Sequence, residues 1–156
     1  MDLKVPKTLR LEHVELREQL YILTKENTEL GEAARTLMEI FYMHAVKEEE
    51  RVLPALEALP DLAEGKVTDQ MRSLKDIADD LKGGLYQELF EDHRAILDSL
   101  NKISQLAADV GRTEYVKFVE RFILHAQMEE EILYPASLVA AEYFQQLLQC
   151  QIDPSA

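Results

Sequence analysis

Apolar residues recur at steps of three and four along nearly the whole chain, the spacing of one buried face on an α-helix. The first such segment runs from Thr8 to Lys25, with Leu9, Leu16, Leu20 and Leu23 on one stripe. Asn27 and Thr28 interrupt it. Thr28 is placed to cap a second segment over 29–59, whose inward face carries Leu30, Leu37, Phe41, Val52 and Leu56. Pro60, Asp61 and Gly65 predict a loop. A third segment starts at the cap Thr68 and runs towards Ala108, with a kink or short break predicted at Gly83-Gly84. Gly111 ends the next connection, Thr113 is a natural cap, and a fourth segment extends to about Gln149. Four amphipathic helices with short connections predict an all-α, antiparallel, up-down-up-down four-helix bundle over residues 1–150, with a frayed C-terminal tail over 151–156.

Composition supports that reading. Only 5 Gly and 5 Pro in 156 residues make a turn-poor chain, and 47% hydrophobic content suffices for one core. The net charge of −13 argues against nucleic acid and against anionic membranes, since both need clustered Lys and Arg. No apolar run approaches the ~20 residues of a membrane span, and Met1 to Lys7 has no apolar signal region, so the expected compartment is the cytoplasm. The single cysteine, Cys150, excludes an intramolecular disulfide and a thiolate-only metal cage. Tyr143, Phe144, Leu147 and Leu148 exceed what a solvated helix end needs, which leaves a monomer or a homodimer open.

The four histidines organise the sequence. His13 and His44 are 31 residues apart, and His93 and His125 are 32 apart. A shift of 80 carries His13 onto His93, and a shift of 81 carries His44 onto His125. HAVKEEERVLPA from His44 matches HAQMEEEILYPA from His125 at seven of twelve positions, including Glu48 with Glu129 and Pro54 with Pro135. Around the other pair Leu9 matches Leu89, Leu16 matches Ile96, Leu20 matches Leu100, and Glu12 and Asp92 immediately precede their histidines. The pattern predicts an internal two-fold repeat of a helical hairpin.

On a helix, residues four apart share a face. His44 and Glu48 therefore point together, among Leu37, Phe41, Val52 and Ala55; His125 and Glu129 do the same among Phe118, Phe122, Ile132 and Ala136. Burying an unpartnered carboxylate costs several kcal/mol, and Arg51 and Arg121 lie off these faces. A pair of metal ions resolves the conflict, and imidazole with carboxylate suits iron, manganese or zinc rather than copper(I). Glu49, Glu50, Glu130 and Glu131 read as a solvated face, and Met38, Met43 and Met128 as core filler. Pro54 and Pro135 each remove a backbone donor and predict a bend just beyond the site.

These residues resemble the hemerythrin-like, or HHE cation-binding, family: a histidine on the first helix, H-x-x-x-E on the second, a histidine on the third and H-x-x-x-E on the fourth. The resemblance implies a non-haem di-iron centre with metal ligands His13, His44, Glu48, His93, His125 and Glu129. It pairs His13 with His44 on one iron and His93 with His125 on the other, with Glu48, Glu129 and an oxo or hydroxo group as bridges. Zinc or manganese are alternative metals. The oxygen-carrying members have a fifth histidine one turn before the third-helix histidine, where this chain has Leu89. They also use a carboxylate five residues after the fourth-helix histidine, so Glu130 is an alternative to Glu129. Without the fifth histidine each iron is one ligand short of an octahedron, unless a residue such as Tyr86 fills a gap. The partner implied is a small molecule, O2, peroxide or NO, either bound or turned over in peroxidase, catalase or ferroxidase chemistry. The competing class is a helical interaction module whose site is vestigial or filled by zinc.

Overall fold

The structure, a computed structural model, describes residues 2–152. These residues form four long helical segments and no strand. The first is α1 (Lys7–Leu23). The second is α2 (Glu29–Arg51), continued by a 3-10 stretch, Leu53–Ala58, and the short α3 (Leu59–Ala63). Val52 leaves helical geometry at φ −132°, two residues before Pro54. The proline ring would crowd the carbonyl four residues back and has no N–H to offer it, so the expected bend falls here. Pro60 instead sits in the first turn of α3, where a missing N–H is harmless. The predicted loop is accordingly displaced to about 64–68, and Gly65 turns it at φ 70°.

The third segment comprises a 3-10 turn (Asp69–Ser73), α4 (Leu74–Asp80), a π-helical turn (Leu81–Leu85) and α5 (Tyr86–Asp109). The break expected at Gly83-Gly84 is present, because Gly84 adopts φ 128°, which L side chains rarely adopt. The fourth comprises α6 (Thr113–Met128), a second π-helical turn (Glu129–Leu133) and α7 (Tyr134–Ile152). Thr28 and Thr68 occupy cap positions with extended backbone but make no capping hydrogen bond; Thr113 is already helical, and Arg112 holds the cap position. Gln151 and Ile152, assigned to the tail from sequence, belong to α7, while residues 153–156 lie outside the described residues.

Packing places α1 against α2, α2 against α5, and α5 against α6, while α7 covers α4 and the Leu53–Ala58 stretch. Two apolar layers result. One gathers Leu16, Leu20, Leu37, Phe41, Ile96 and Phe122; the other gathers Val52, Met71, Leu74, Leu89, Tyr134 and Phe144. Each fully buried Leu or Phe contributes about 1.5–3 kcal/mol to holding them. Along the chain each histidine falls between a residue of the first layer and a residue of the second: His13 between Leu3 and Leu16, His44 between Phe41 and Val52, His93 between Leu89 and Ile96, His125 between Phe122 and Tyr134. Leu147 and Leu148 pack on the second layer, and Met43 is exposed rather than core. No helix among the described residues is long and apolar enough to cross a membrane. Cys150 is an exposed free thiol.

Candidate metal centre

The level between the two layers is polar and closed. His13, His44, His93, His125, Glu48 and Glu129 are all buried there. All six residues predicted as ligands therefore converge, but their grouping differs from the expected one. One ligand atom each from His44, Glu48, His93 and Glu129 lie within 4.8 Å of one another, and His13, His125 and Glu129 form a second such group. His13 faces His125, with ring centroids 5.1 Å apart, and His44 faces His93 at 4.6 Å. The pairing of His13 with His44 and of His93 with His125 is thus replaced by pairing across the other helix neighbours. A helical stripe specifies which residues face inward, not which of two flanking helices each will meet.

The two carboxylates span both pairs. Glu129 turns Oε1 to His13 Nε2 (3.2 Å) and His125 Nε2 (2.8 Å), and Oε2 to His93 Nε2 (3.2 Å). Glu48 turns Oε1 to His44 Nε2 (3.2 Å) and Oε2 to His13 Nε2 (3.5 Å). Two donors each about 2.1 Å from one cation at a right angle lie about 3.0 Å apart, so these separations suit shared cations. Hydrogen bonding alone leaves the cluster incomplete. Glu48 Oε2 and both ring nitrogens of His125 are buried without a hydrogen-bond partner, although Glu129 Oε1 is close to His125 Nε2. Glu48 Oε2 and His125 Nε2 face their neighbours along the wrong lines for hydrogen bonds, and a cation between them would satisfy both. Nitrogen and carboxylate donors in this ratio fit iron, manganese or zinc.

The outer ring nitrogens follow a second pattern. His13 Nδ1 meets Glu49 Oε1 at 2.8 Å and His93 Nδ1 meets Glu130 Oε1 at 2.8 Å. His44 Nδ1 meets Asp92 Oδ2 at 3.3 Å and His125 Nδ1 lies 3.2 Å from Glu12 Oε1. Each imidazole on α1, α2, α5 and α6 is thus approached by a carboxylate from the next histidine-bearing segment, and the sequence of contacts closes on itself. Such contacts fix ring orientation and leave Nε2 for a metal. Glu49 and Glu130, read from sequence as a solvated face, are half-buried orienting groups. Glu130 is occupied at His93 Nδ1 while Glu129 points inward, so the inward carboxylate is the one four residues after its histidine. Asp92 also accepts from Lys47 Nζ at 2.6 Å. Arg51 and Arg121 pair outside, with Asp80 and Glu15.

Protonation follows from these contacts. Burial opposes the charged form of His13, but Glu129, Glu48 and Glu49 outweigh it and raise the imidazole to about 9. Burial likewise opposes His44, and Asp92, Glu48 and Glu129 raise it to about 9. His125 is raised by Glu129 and Glu12 against burial and the nearby His13. Burial would raise Glu129, yet the imidazoles of His125, His13 and His93 crowded against its oxygens hold it well below the usual carboxylate range. Without metal at neutral pH, then, protons on His13 and His44 supply the positive charge that two buried carboxylates demand.

One polar group of the cluster was missed from sequence. Tyr134 is fully buried, and its hydroxyl donates to Glu48 Oε1 and contacts His93 Nε2 (3.1 Å) and His44 Nε2 (3.5 Å). The π-helical turn puts it there. Tyr134 N–H bonds the carbonyl of Glu129, five residues back, just before Pro135, which has no N–H to give. The extra residue rotates the following chain, so Tyr134, Ser137, Ala141 and Phe144 are buried, whereas Ile132, expected inside, is 58% exposed. The available signal was the repeat itself, in which Tyr134 replaces Leu53. Tyr86 stacks on Phe90 (5.3 Å between centroids) and meets Tyr134 edge-on. Searches of family models, curated proteins and solved structures return no match to this chain.

Proposed function

We propose that this chain is a hemerythrin-like di-iron protein that binds or reacts with O2, peroxide or NO. In this reading two related helical hairpins form an antiparallel up-down-up-down bundle about a pseudo-twofold axis. The orienting contacts support the repeat: shifts of 80 and 81 carry His13 with Glu49 onto His93 with Glu130, and His125 with Glu12 corresponds to His44 with Asp92. His13 and His125 hold one metal, His44 and His93 the other, and Glu48 and Glu129 bridge. The observation that carries the reading is that each buried carboxylate turns one oxygen to each histidine pair. Two irons held there supply oxygen-ligand and one-electron chemistry. The protein's own part is to orient four imidazoles through the outer carboxylates and to exclude bulk water with two apolar layers.

Elemental analysis with an absorption spectrum tests this directly. Two irons per chain and near-ultraviolet oxo-to-iron bands are expected, and oxygen evolution from added peroxide separates turnover from binding. A metal-free or zinc-only protein in iron-replete preparation favours the second reading, a helical interaction module. That reading draws on the two imidazoles near 9, which balance the buried carboxylates by protons alone.

A further inference from the structure

We propose that Tyr134 is itself a metal ligand, filling the His44/His93 half of the centre and leaving the His13/His125 half as the one that takes a small molecule. The inference rests on the di-iron reading above and replaces the sequence expectation of two equivalent open metals. Tyr134 Oη meets Glu48 Oε1, His93 Nε2 and His44 Nε2, three residues of the four-residue ligand group on that side. An oxygen that already touches three donors aimed at a common point lies beside that point. The ring is locked: Tyr134 is fully buried, its face stacks on His93 with centroids 5.6 Å apart, and Tyr86 and Phe90 close its flanks.

The other half is built differently. The polar neighbours of His13 and His125 are the carboxylates Glu48, Glu49, Glu129 and Glu12. Beyond them lie aromatic edges, Phe41 at 6.0 Å from His13 and Phe122 at 6.3 Å from His125. The repeat position of Tyr134 is Leu53, buried and without a donor atom. Two histidines and two carboxylates with no phenol leave that metal a coordination position facing apolar surroundings, which suits a small uncharged or weakly polar molecule. On loading, the phenolic oxygen gives an electron pair to the cation, its proton leaves to solvent, and no oxidation state changes.

Iron-loaded, air-oxidised protein provides the test, read by iron content, visible absorption and resonance Raman. Wild type is expected to hold two irons with a phenolate-to-iron band and tyrosine ring modes. In Tyr134→Phe the band is lost while iron and helical content are kept; in Tyr86→Phe it persists. Azide titration should bind one anion per wild-type chain and two per Tyr134→Phe chain. Two irons with no phenolate band, a band that survives Tyr134→Phe, or two azides on wild type each overturn the Tyr134 assignment while leaving the di-iron reading intact. A chain without iron overturns both.

Discussion

Stripping metal from the centre and raising the pH should destabilise the protein as His13 and His44 lose their protons. Each imidazole rises from 6.5 to about 9 on folding, a gap of about 2.5 pH units. At about 1.36 kcal/mol per unit each contributes about 3 kcal/mol. Between these pH values the folded chain holds protons that the unfolded chain has released. The stabilisation is therefore complete below 6.5 and lost as pH climbs through 9. This pair gives a slope of at most about 2.7 kcal/mol per pH unit, and the raised His125 adds to it in the same direction. The sum is a ceiling, because both imidazoles draw on Glu48 and Glu129. Glu129 adds no slope there, since a depressed carboxyl is ionised in both states, and the raised Tyr134 phenol stays protonated in both. The assay is urea unfolding of chelator-treated protein across this range, beside the metal-loaded form. Metal binding replaces the protons, so the loaded form should lose the falling slope and release protons on loading. Metal-free stability that is flat or rising from 6.5 to 9 would refute the ion-paired description of the cluster.

Glu48→Ala and Glu129→Ala should each strip metal from both positions, while Glu50→Ala, altering an exposed neighbour, should retain it by elemental analysis. Glu130→Gln should weaken metal binding about ten- to a hundredfold in competition with a chelator, leaving helical content unchanged, because it only replaces the charged acceptor on His93 Nδ1 with a neutral one. Phe41→Ala should cost about 3–5 kcal/mol in denaturant unfolding, since Phe41 is 1% exposed and packs on Phe122 at 4.7 Å and on His13. Gly31→Ala should destabilise by about 1–3 kcal/mol: a Cβ there would lie 1.8 Å from the backbone oxygen of Glu26, which has no rotamer with which to move away.

Much of this was legible in the chain because helical periodicity and the repeat report the same thing twice. The segments end close to where Asn27, Gly65 and Gly111 place their boundaries, and Gly84 breaks the third. Four of the six inward groups follow from four-residue spacing, and His13 and His93 from their matching contexts at a shift of 80. What the spacing left open was relational. His13 flanks two neighbouring helices equally well on a stripe diagram, and only packing decides that it meets His125. Glu49 and Glu130 look solvated because they flank the inward stripe, yet a histidine Nδ1 also emerges at that flank. Tyr134 escaped because a single wide turn changes the phase of every residue after Glu129, and the pattern was read with constant phase.

The closed series of imidazole-to-carboxylate contacts makes the centre a gauge of register. Sliding any one of α1, α2, α5 or α6 drags its own imidazole off one carboxylate and pulls its carboxylate away from the imidazole next door. A misaligned helix therefore disturbs two rings at once. Chains with a slipped helix cannot present a full donor set, so under the proposed di-metal reading cation capture would select correctly assembled molecules over mispacked ones.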